Sequence, residues 1–140
     1  MINAKDFWEL MCTKLEYRFF SGVPSIGLNP LYNTMDSEIM HYIPAIDESI
    51  SLGLATGAFL SGYKSAVLIS PNKIKYVMTQ YKKFNKAFNI PTLFITNDLK
   101  ESIADFPVWL VEEDFSNLYE ADNYLYKLKK GGCIIDIRVQ

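Results

Sequence analysis

The residue pair with the most evident chemical use is Asp47-Glu48, at the head of a stretch built mostly of small and apolar residues. Residues 42–62 read Y-I-P-A-I-D-E-S-I-S-L-G-L-A-T-G-A-F-L-S-G, so a short apolar run stops at Pro44 and the two acids open a helix. Acids in a first helical turn favour the positive end of the helix dipole by about 0.3–1 kcal/mol, and that alone is a sufficient structural reason for Glu48. The rest of the helix argues for more. Gly53, Gly57, Ala55 and Ala58 lie among Ile50, Leu52, Leu54, Phe59 and Leu60. Each helical glycine costs about 1 kcal/mol against alanine, a cost that makes sense where another backbone comes close. A helix apolar all round is expected to be buried. Glu48 would then stand at the mouth of a buried surface, the setting in which proteins tune carboxylates for proton exchange.

Two loops belong with it. Ser21-Gly22-Val23-Pro24-Ser25 is a turn with Gly and Pro at its centre, directly after an aromatic run, and Ser70-Pro71-Asn72-Lys73 follows an apolar one. Glu48 lies just past a third run. Open α/β sheets place ligands where strands run into such turns, although each loop also serves as a plain connection, and Lys73 also reads as a solvated first-turn lysine. In a parallel sheet all three would fall on the carboxyl edge.

Other chemistries find no support. There is no G-x-x-x-x-G-K-[ST], no G-x-G-x-x-G after the first strand and no G-x-S-x-G elbow. His41 has no Ser or Cys spaced for a triad and reads as a strand-edge residue. One histidine and no C-x-x-C argue against a transition-metal site made by this chain, so no metal ligand is assigned. A net charge of −2 speaks against nucleic acid, and the runs Lys82-Lys83 and 127–130 read as solvated helix faces. Cys12 and Cys133 are read as two buried thiols in a reducing cytoplasm, not a disulfide. Lys5, Asp6 and Glu9 interrupt any signal-peptide pattern, and no run is long enough for a bilayer.

The elements that must position these residues follow from periodicity. The chain has 140 residues, 14% of them aromatic and 21% charged, which fits one globular domain over 1–140 with a substantial core. Helices are expected at 3–15 with Asn3 as cap, briefly at 26–32, from Asp47 through the glycine-bearing run, from Pro71 to Phe88 with Ser70 as cap, and at 114–129 with Asp114 as cap. Ile74, Val77, Met78, Tyr81 and Phe88 carry the periodicity of the fourth helix, and Leu118, Ala121, Leu125 and Leu128 form the buried side of the fifth, which Gly131-Gly132 ends. Strands are expected at 17–20, 39–43, 65–69, 91–96, 107–111 and 133–139, with a polar loop at 97–105. This alternation predicts a three-layer α/β/α fold, flavodoxin-like, with a mostly parallel sheet of about six strands.

A resemblance carries the reading further. Asp6-Phe7-Trp8-Glu9-Leu10, then Phe19-Phe20-Ser21-Gly22-Val23-Pro24, then Ile46-Asp47-Glu48-Ser49 running into Leu54-Ala55-Thr56-Gly57, and Phe88-Asn89-Ile90-Pro91 resemble the pyrimidine-binding domain of thiamine diphosphate-dependent decarboxylases. The similar group acts on phosphonopyruvate and sulfopyruvate. The resemblance implies that Glu48 hydrogen-bonds the cofactor's aminopyrimidine ring and promotes the tautomer that takes the thiazolium proton. It implies that Gly22, Val23 and Pro24 line the cofactor cleft, that Asn72 faces it, and that Ser25, Ser70 and Lys73 lie on the substrate side. Two departures stand out: Ser25 replaces the family's acid after G-V-P, and the glycine-rich loop Q-N-S-G-L-G-N becomes Ser70-Pro71-Asn72-Lys73-Ile74. The family holds the diphosphate through Mg²⁺ on a G-D-G…N motif in a second domain, and this chain carries no G-D-G. The resemblance therefore implies a subunit similar to the alpha subunit of sulfopyruvate decarboxylase, sharing thiamine diphosphate with a beta subunit that binds Mg²⁺, with homodimerisation left open. A catalytically degenerate relative that binds a partner or small ligand, and an unrelated flavodoxin-like binding domain, are the alternative readings.

Overall fold

Asn3 starts the first helix. Its side-chain oxygen accepts the backbone N–H of Lys5 at 2.9 Å and of Asp6 at 3.2 Å, which satisfies two of the donors a helix start leaves free. The computed structural model describes residues 1–103 and 106–140. Helix α1 (Ala4–Glu9) runs on through a π-helical turn, Leu10–Lys14. Strand β1 (Tyr17–Gly22) leads through a 3₁₀ turn, Ile26–Leu28, into the short α2 (Asn29–Tyr32). Then come β2 (His41–Pro44), α3 (Glu48–Leu60) and β3 (Lys64–Leu68). A composite helix follows: a 3₁₀ segment (Pro71–Val77), α4 (Met78–Gln80) and a π-helical segment (Tyr81–Lys86). The chain ends with β4 (Leu93–Thr96), β5 (Val108–Val111), α5 (Ser116–Tyr126) and β6 (Cys133–Ile137).

The six strands form one sheet in the order β2-β1-β3-β4-β6-β5, and every pairing is parallel. Alternation along the strands feeds two cores. On one face Phe20, Leu68, Ile95 and Ile135 pack with Phe7, Trp8 and Met11 of the first helix and with Leu118 and Leu125 of α5. On the other, Val67, Ile69, Phe94 and Ile134 pack with Leu52 of α3 and with Ile74 and Val77. The expected three layers with a parallel sheet are what the chain adopts.

Several local expectations change. Ser70 precedes the fourth helix without a capping bond from its side chain, because that helix opens as a 3₁₀ segment. Phe88 lies beyond the helical segments and is 66% exposed. Asp114 accepts the Ser116 N–H at 3.0 Å, but α5 stops at Tyr126; Leu128 therefore leaves the buried stripe, and Lys129 turns to a positive φ of 52°. The part of the predicted 97–105 loop that is described, 97–103, has neither helix nor strand, and the rest lies outside the described residues. No helix among the described residues is long and apolar enough to cross a membrane.

Cys12 and Cys133 are free and buried, one in each of two elements facing the same core. Burial pushes the Cys12 thiol from its ordinary 9.0 up to about 11, and raises Cys133 as well. A raised proton affinity in the folded state means that the neutral thiol is what the fold favours. The contribution is complete below the unfolded value and is lost as pH climbs from 9 toward 11. Native protein at pH 8 should leave a thiol-specific disulfide reagent uncoloured, unfolded protein should react at both cysteines, and the urea midpoint should fall across that alkaline window.

Candidate functional site

The strand order reverses beside β1. The chain leaves β1 for β2 on one side and returns past it to β3 on the other, so the loops after β1 and β3 part at the carboxyl edge and leave a crevice there. Gly22 closes β1 and is paired with Pro44 of β2 and with Leu68 of β3. A Cβ on Gly22 would lie 2.4 Å from the Leu68 carbonyl oxygen, so the close approach of two strands is what demands glycine. Two tyrosines fix the turn that follows. Tyr42 donates its hydroxyl to the Gly22 carbonyl at 3.3 Å, and Tyr32 donates to that of Val23, also at 3.3 Å. Burial raises the proton affinity of both phenols, so they remain neutral donors throughout the physiological range. The Gly22 carbonyl also accepts the Ala45 N–H at 2.9 Å.

Beyond Pro24 the chain crosses the end of β3. The Asn97 side chain, from the loop after β4, donates to the Gly27 carbonyl at 2.9 Å and clasps the two loops together. Ser25 is half-buried at the start of the 3₁₀ turn, and its carbonyl accepts the Leu28 N–H at 3.2 Å.

Glu48 reaches the same edge from the other side of β1. Asp47 caps α3, its carboxylate accepting the Ile50 N–H at 2.8 Å, and Glu48 is the first helical residue. It shares its helical stripe with Leu52 and Ala55, four and seven residues on, both buried against the sheet. That stripe puts Glu48 on the face of α3 that packs against the sheet, at the end nearest the carboxyl edge. Among the described residues no hydrogen bond or ion pair engages the carboxylate, and the residue is half-buried. The fully dry pocket expected for it is thus not formed within this chain. The rim is apolar: Ile46 is 89% exposed and Ile26 87%.

The predicted residues are not all gathered at one point. Gly22, Val23 and Pro24, Glu48 and Ser70 share the edge over the neighbouring strands β2, β1 and β3. Asn72 belongs to the next opening along, a cavity of about 250 Å³ between the loops after β3 and β4, which Pro71, Lys75, Asp98 and Leu99 also line. Lys73 is exposed, with its ammonium 5.3 Å from the Tyr76 ring centroid, and stands on the outer surface. Among the described residues no three His, Cys, Asp or Glu side chains converge on a common point.

Sequence reasoning passed over Tyr32, Tyr42 and Asn97, whose contacts span 9, 20 and 70 residues. It also passed over Asp136. That buried carboxylate lies opposite Thr96 in the β4–β6 register, accepts the Leu99 N–H at 3.3 Å and pairs with Arg138. An acid interrupting C-I-I-D-I-R-V was the available signal for it.

No protein-family model matches the chain. Among curated proteins it is 31% identical over 134 residues to sulfopyruvate decarboxylase subunit alpha of Methanocaldococcus jannaschii, with 79% of each chain covered. It is 33% identical over 91 residues to the protein of the same name from Methanococcus maripaludis, with 61% of this chain and 54% of that one covered. Among solved structures it superposes, with a TM-score of 0.74 and 14% identity, on a 2-oxoglutarate:ferredoxin oxidoreductase from Magnetococcus marinus solved with 2-oxoglutarate, coenzyme A and succinyl-CoA bound. That match takes in 99% of this chain and 29% of the other, and it speaks for the fold alone. The identity to the Methanocaldococcus protein reaches across most of both chains, and on that ground the chain belongs to the sulfopyruvate decarboxylase alpha-subunit family.

Proposed function

We propose that this chain is the pyrimidine-side subunit of a thiamine diphosphate-dependent decarboxylase acting on a 2-oxo acid such as sulfopyruvate or phosphonopyruvate, and that it works only with a second, diphosphate-binding subunit. The observation that carries the reading is Glu48: a half-buried carboxylate with no hydrogen-bond or ion-pair partner among the described residues, at the start of α3, on the edge that also holds the Gly22-Val23-Pro24 turn. The residues present fit the cofactor's pyrimidine half. Gly22 keeps the strand ends close, since a Cβ there would lie 2.4 Å from the Leu68 carbonyl oxygen, and the turn is held rigid by Tyr32 and Tyr42.

When bound, thiamine diphosphate supplies a carbon nucleophile and a sink for the electrons released as carbon dioxide departs. This chain's part is to bind, orient and exchange a proton. Glu48 holds a proton at the aminopyrimidine ring, an exchange general acid–base catalysis makes worth about 10²–10⁴-fold. Gly22, Val23 and Pro24 form one wall of the cleft. Ser70 and Ser25 stand toward the substrate, while Asn72, expected toward the cofactor, lines the neighbouring opening and Lys73, expected toward the substrate, lies on the outer surface. Mg²⁺ and the diphosphate belong to the second subunit. The free thiols of Cys12 and Cys133 suit a reducing cytoplasm.

The degenerate-relative reading keeps one specific observation, Ser25 in place of the family's acid beside a glycine-free 70–74 loop. One experiment separates the two. The tagged chain is captured from its own cells, the accompanying protein is identified by mass spectrometry, and the purified complex is given sulfopyruvate or phosphonopyruvate with thiamine diphosphate and Mg²⁺. Release of carbon dioxide and the aldehyde one carbon shorter, dependent on both chains, is the expected result. A stoichiometric complex with a G-D-G-bearing partner that turns over neither acid would leave the degenerate relative. Turnover by the chain alone would remove the shared-site proposal.

A further inference from the structure

Two lysine runs far apart in the sequence are delivered to one place by the sheet. Lys82, Lys83 and Lys86 belong to the π-helical segment that leads toward β4, and Lys127, Lys129 and Lys130 follow α5 on the way to β6. Strands β4 and β6 are neighbours and run parallel, so the segments that enter them meet at the amino edge, the end of the sheet opposite Glu48 and the Gly22-Val23-Pro24 turn. A cavity of about 200 Å³ opens between these segments. Lys86, Lys129 and Lys130 line it and no acid does. Among the described residues none of the six lysines has an ion-pair partner. Like charges around one concavity raise the local potential, and its low-dielectric walls focus that potential. Those walls are held in place. On one side Asn85, only 2% exposed, lines the cavity and donates its amide to the Thr56 and Thr92 hydroxyls at 2.9 Å each. On the other, the Tyr81 hydroxyl accepts the Gly132 N–H at 2.6 Å, and the Lys130 N–H donates to the Tyr124 carbonyl at 3.2 Å. This fixes Lys129 at a φ of 52°, a conformation few lysines adopt. Gly131, which also lines the cavity, has no acceptor for its N–H among the described residues.

We propose that this cavity binds a small phosphorylated molecule, with its phosphate group on Lys86, Lys129, Lys130 and the Gly131 N–H and a short carbon chain against Ile90, Pro91 and Leu125. Charge favours phosphate. A phosphate ester carries close to two negative charges at neutral pH and presents three strong acceptor oxygens, which matches three ammonium donors better than a carboxylate does. Size favours a short ester. About 200 Å³ falls below the ~300–1,000 Å³ of sites for drug-sized ligands, so a phosphate with a few carbons fits and a nucleotide does not. The apolar part of the lining favours an ester over the bare ion, because Ile90, Pro91 and Leu125 give a carbon chain a surface to cover. The inference is independent of the decarboxylase reading, since the cavity lies at the opposite edge of the sheet from Glu48. A ligand bound there is an effector and not a substrate. It bridges the segments entering β4 and β6, and through the bond from Asn85 to Thr56 it bears on α3, the helix that carries Glu48.

The test is calorimetric titration of the purified full chain with glycerol 3-phosphate at low ionic strength. One molecule should bind per chain, inorganic phosphate should bind more weakly, and glycerol should not bind. Lys129→Gly keeps the left-handed turn and Lys130→Gln keeps a side chain of similar reach, so both variants should melt at the temperature of the unmodified chain or higher. Each should raise the dissociation constant about 10-fold, the loss expected for one charge-assisted contact, and the two together should abolish binding. Glycerol 3-phosphate should also raise the melting temperature of the unmodified chain and not that of the double variant. Lys5→Gln removes an equal charge from an exposed position in α1 and should leave binding unchanged. Equal weakening by Lys5→Gln, or an equal response to sodium chloride at matched ionic strength, would reduce the effect to net charge and overturn the proposal. Inorganic phosphate binding as tightly as the ester would overturn the organic ligand. Absence of binding by glycerol 3-phosphate overturns the proposal too, and retention of the chain on vesicles of anionic phospholipid would in that case make the lysines a membrane-facing patch.

Discussion

Replacing Glu48 with glutamine is expected to lower turnover in the reconstituted complex by at least 100-fold while leaving the chain folded. The size of the loss follows from the role. A glutamine keeps the shape and one hydrogen bond but cannot give and take a proton, and general acid–base exchange is worth about 10²–10⁴-fold. The near-neutral effect on folding follows from position. Asp47, not Glu48, makes the capping bond to the Ile50 N–H, so α3 keeps its start. What Glu48 gives the fold is its charge near the helix N-terminus, about 0.3–1 kcal/mol, and on a chain of this size that is a few degrees of melting temperature. Asp47→Ala is the matching control: it should cost about 1 kcal/mol of stability through the lost cap and much less activity. The measurements are kcat in the complex and thermal melting of each variant chain. Undiminished turnover in Glu48→Gln would return Glu48 to a first-turn acid and remove it from the chemistry.

The architecture could be read from the sequence because its signals are local. Continuous apolar runs such as Ser65-Ala66-Val67-Leu68-Ile69 alternate with capped, periodic segments, and only a parallel sheet buries such runs on both faces. Boundaries moved where long-range pairing decides them. Strand β2 begins at His41 and ends at Pro44, two residues after the expected start, because its register with β1 sets Pro44 opposite Gly22. The π-helical turns at Leu10–Lys14 and Tyr81–Lys86 have no period distinguishable from an ordinary helix at the level of residue types. The larger difference is α3. Its Ile50, Gly53, Gly57 and Leu60 read as part of a buried helix, yet all four are exposed, because composition does not say whether a further layer covers the outer face. At the site, the Gly22-Val23-Pro24 turn and Glu48 were legible as motif and cap. Tyr32, Tyr42 and Asn97 were not, because each acts on a carbonyl brought near only by the finished sheet.

The largest effect on stability should come from Gly22→Ala. A Cβ at this position would sit 2.4 Å from the Leu68 carbonyl oxygen and 3.1 Å from both the Leu68 Cβ and the Tyr32 hydroxyl. The first contact is with backbone in a central strand, and no side-chain rotation relieves it. Strands β1 and β3 would have to separate where Gly22 is paired on both sides, to Pro44 and to Leu68. Overpacking of this kind costs about 3 kcal/mol, and for 140 residues that is a fall of roughly 10 °C in melting temperature. Gly27→Ala makes the contrast. Its Cβ would come within 2.8 Å of the Asn97 side-chain amide, the movable end of a surface residue. It should cost less than about 1 kcal/mol, most of it the clasp to the Gly27 carbonyl. Urea and thermal unfolding of the two variants, side by side, measure the difference. Because the strand ends beneath Val23 and Pro24 would part in Gly22→Ala, its complex should also lose activity at temperatures where it is still folded, and Gly27→Ala should lose far less. Equal melting of the two variants would show that β1 and β3 can part at low cost, and that the glycine is not there to let them approach.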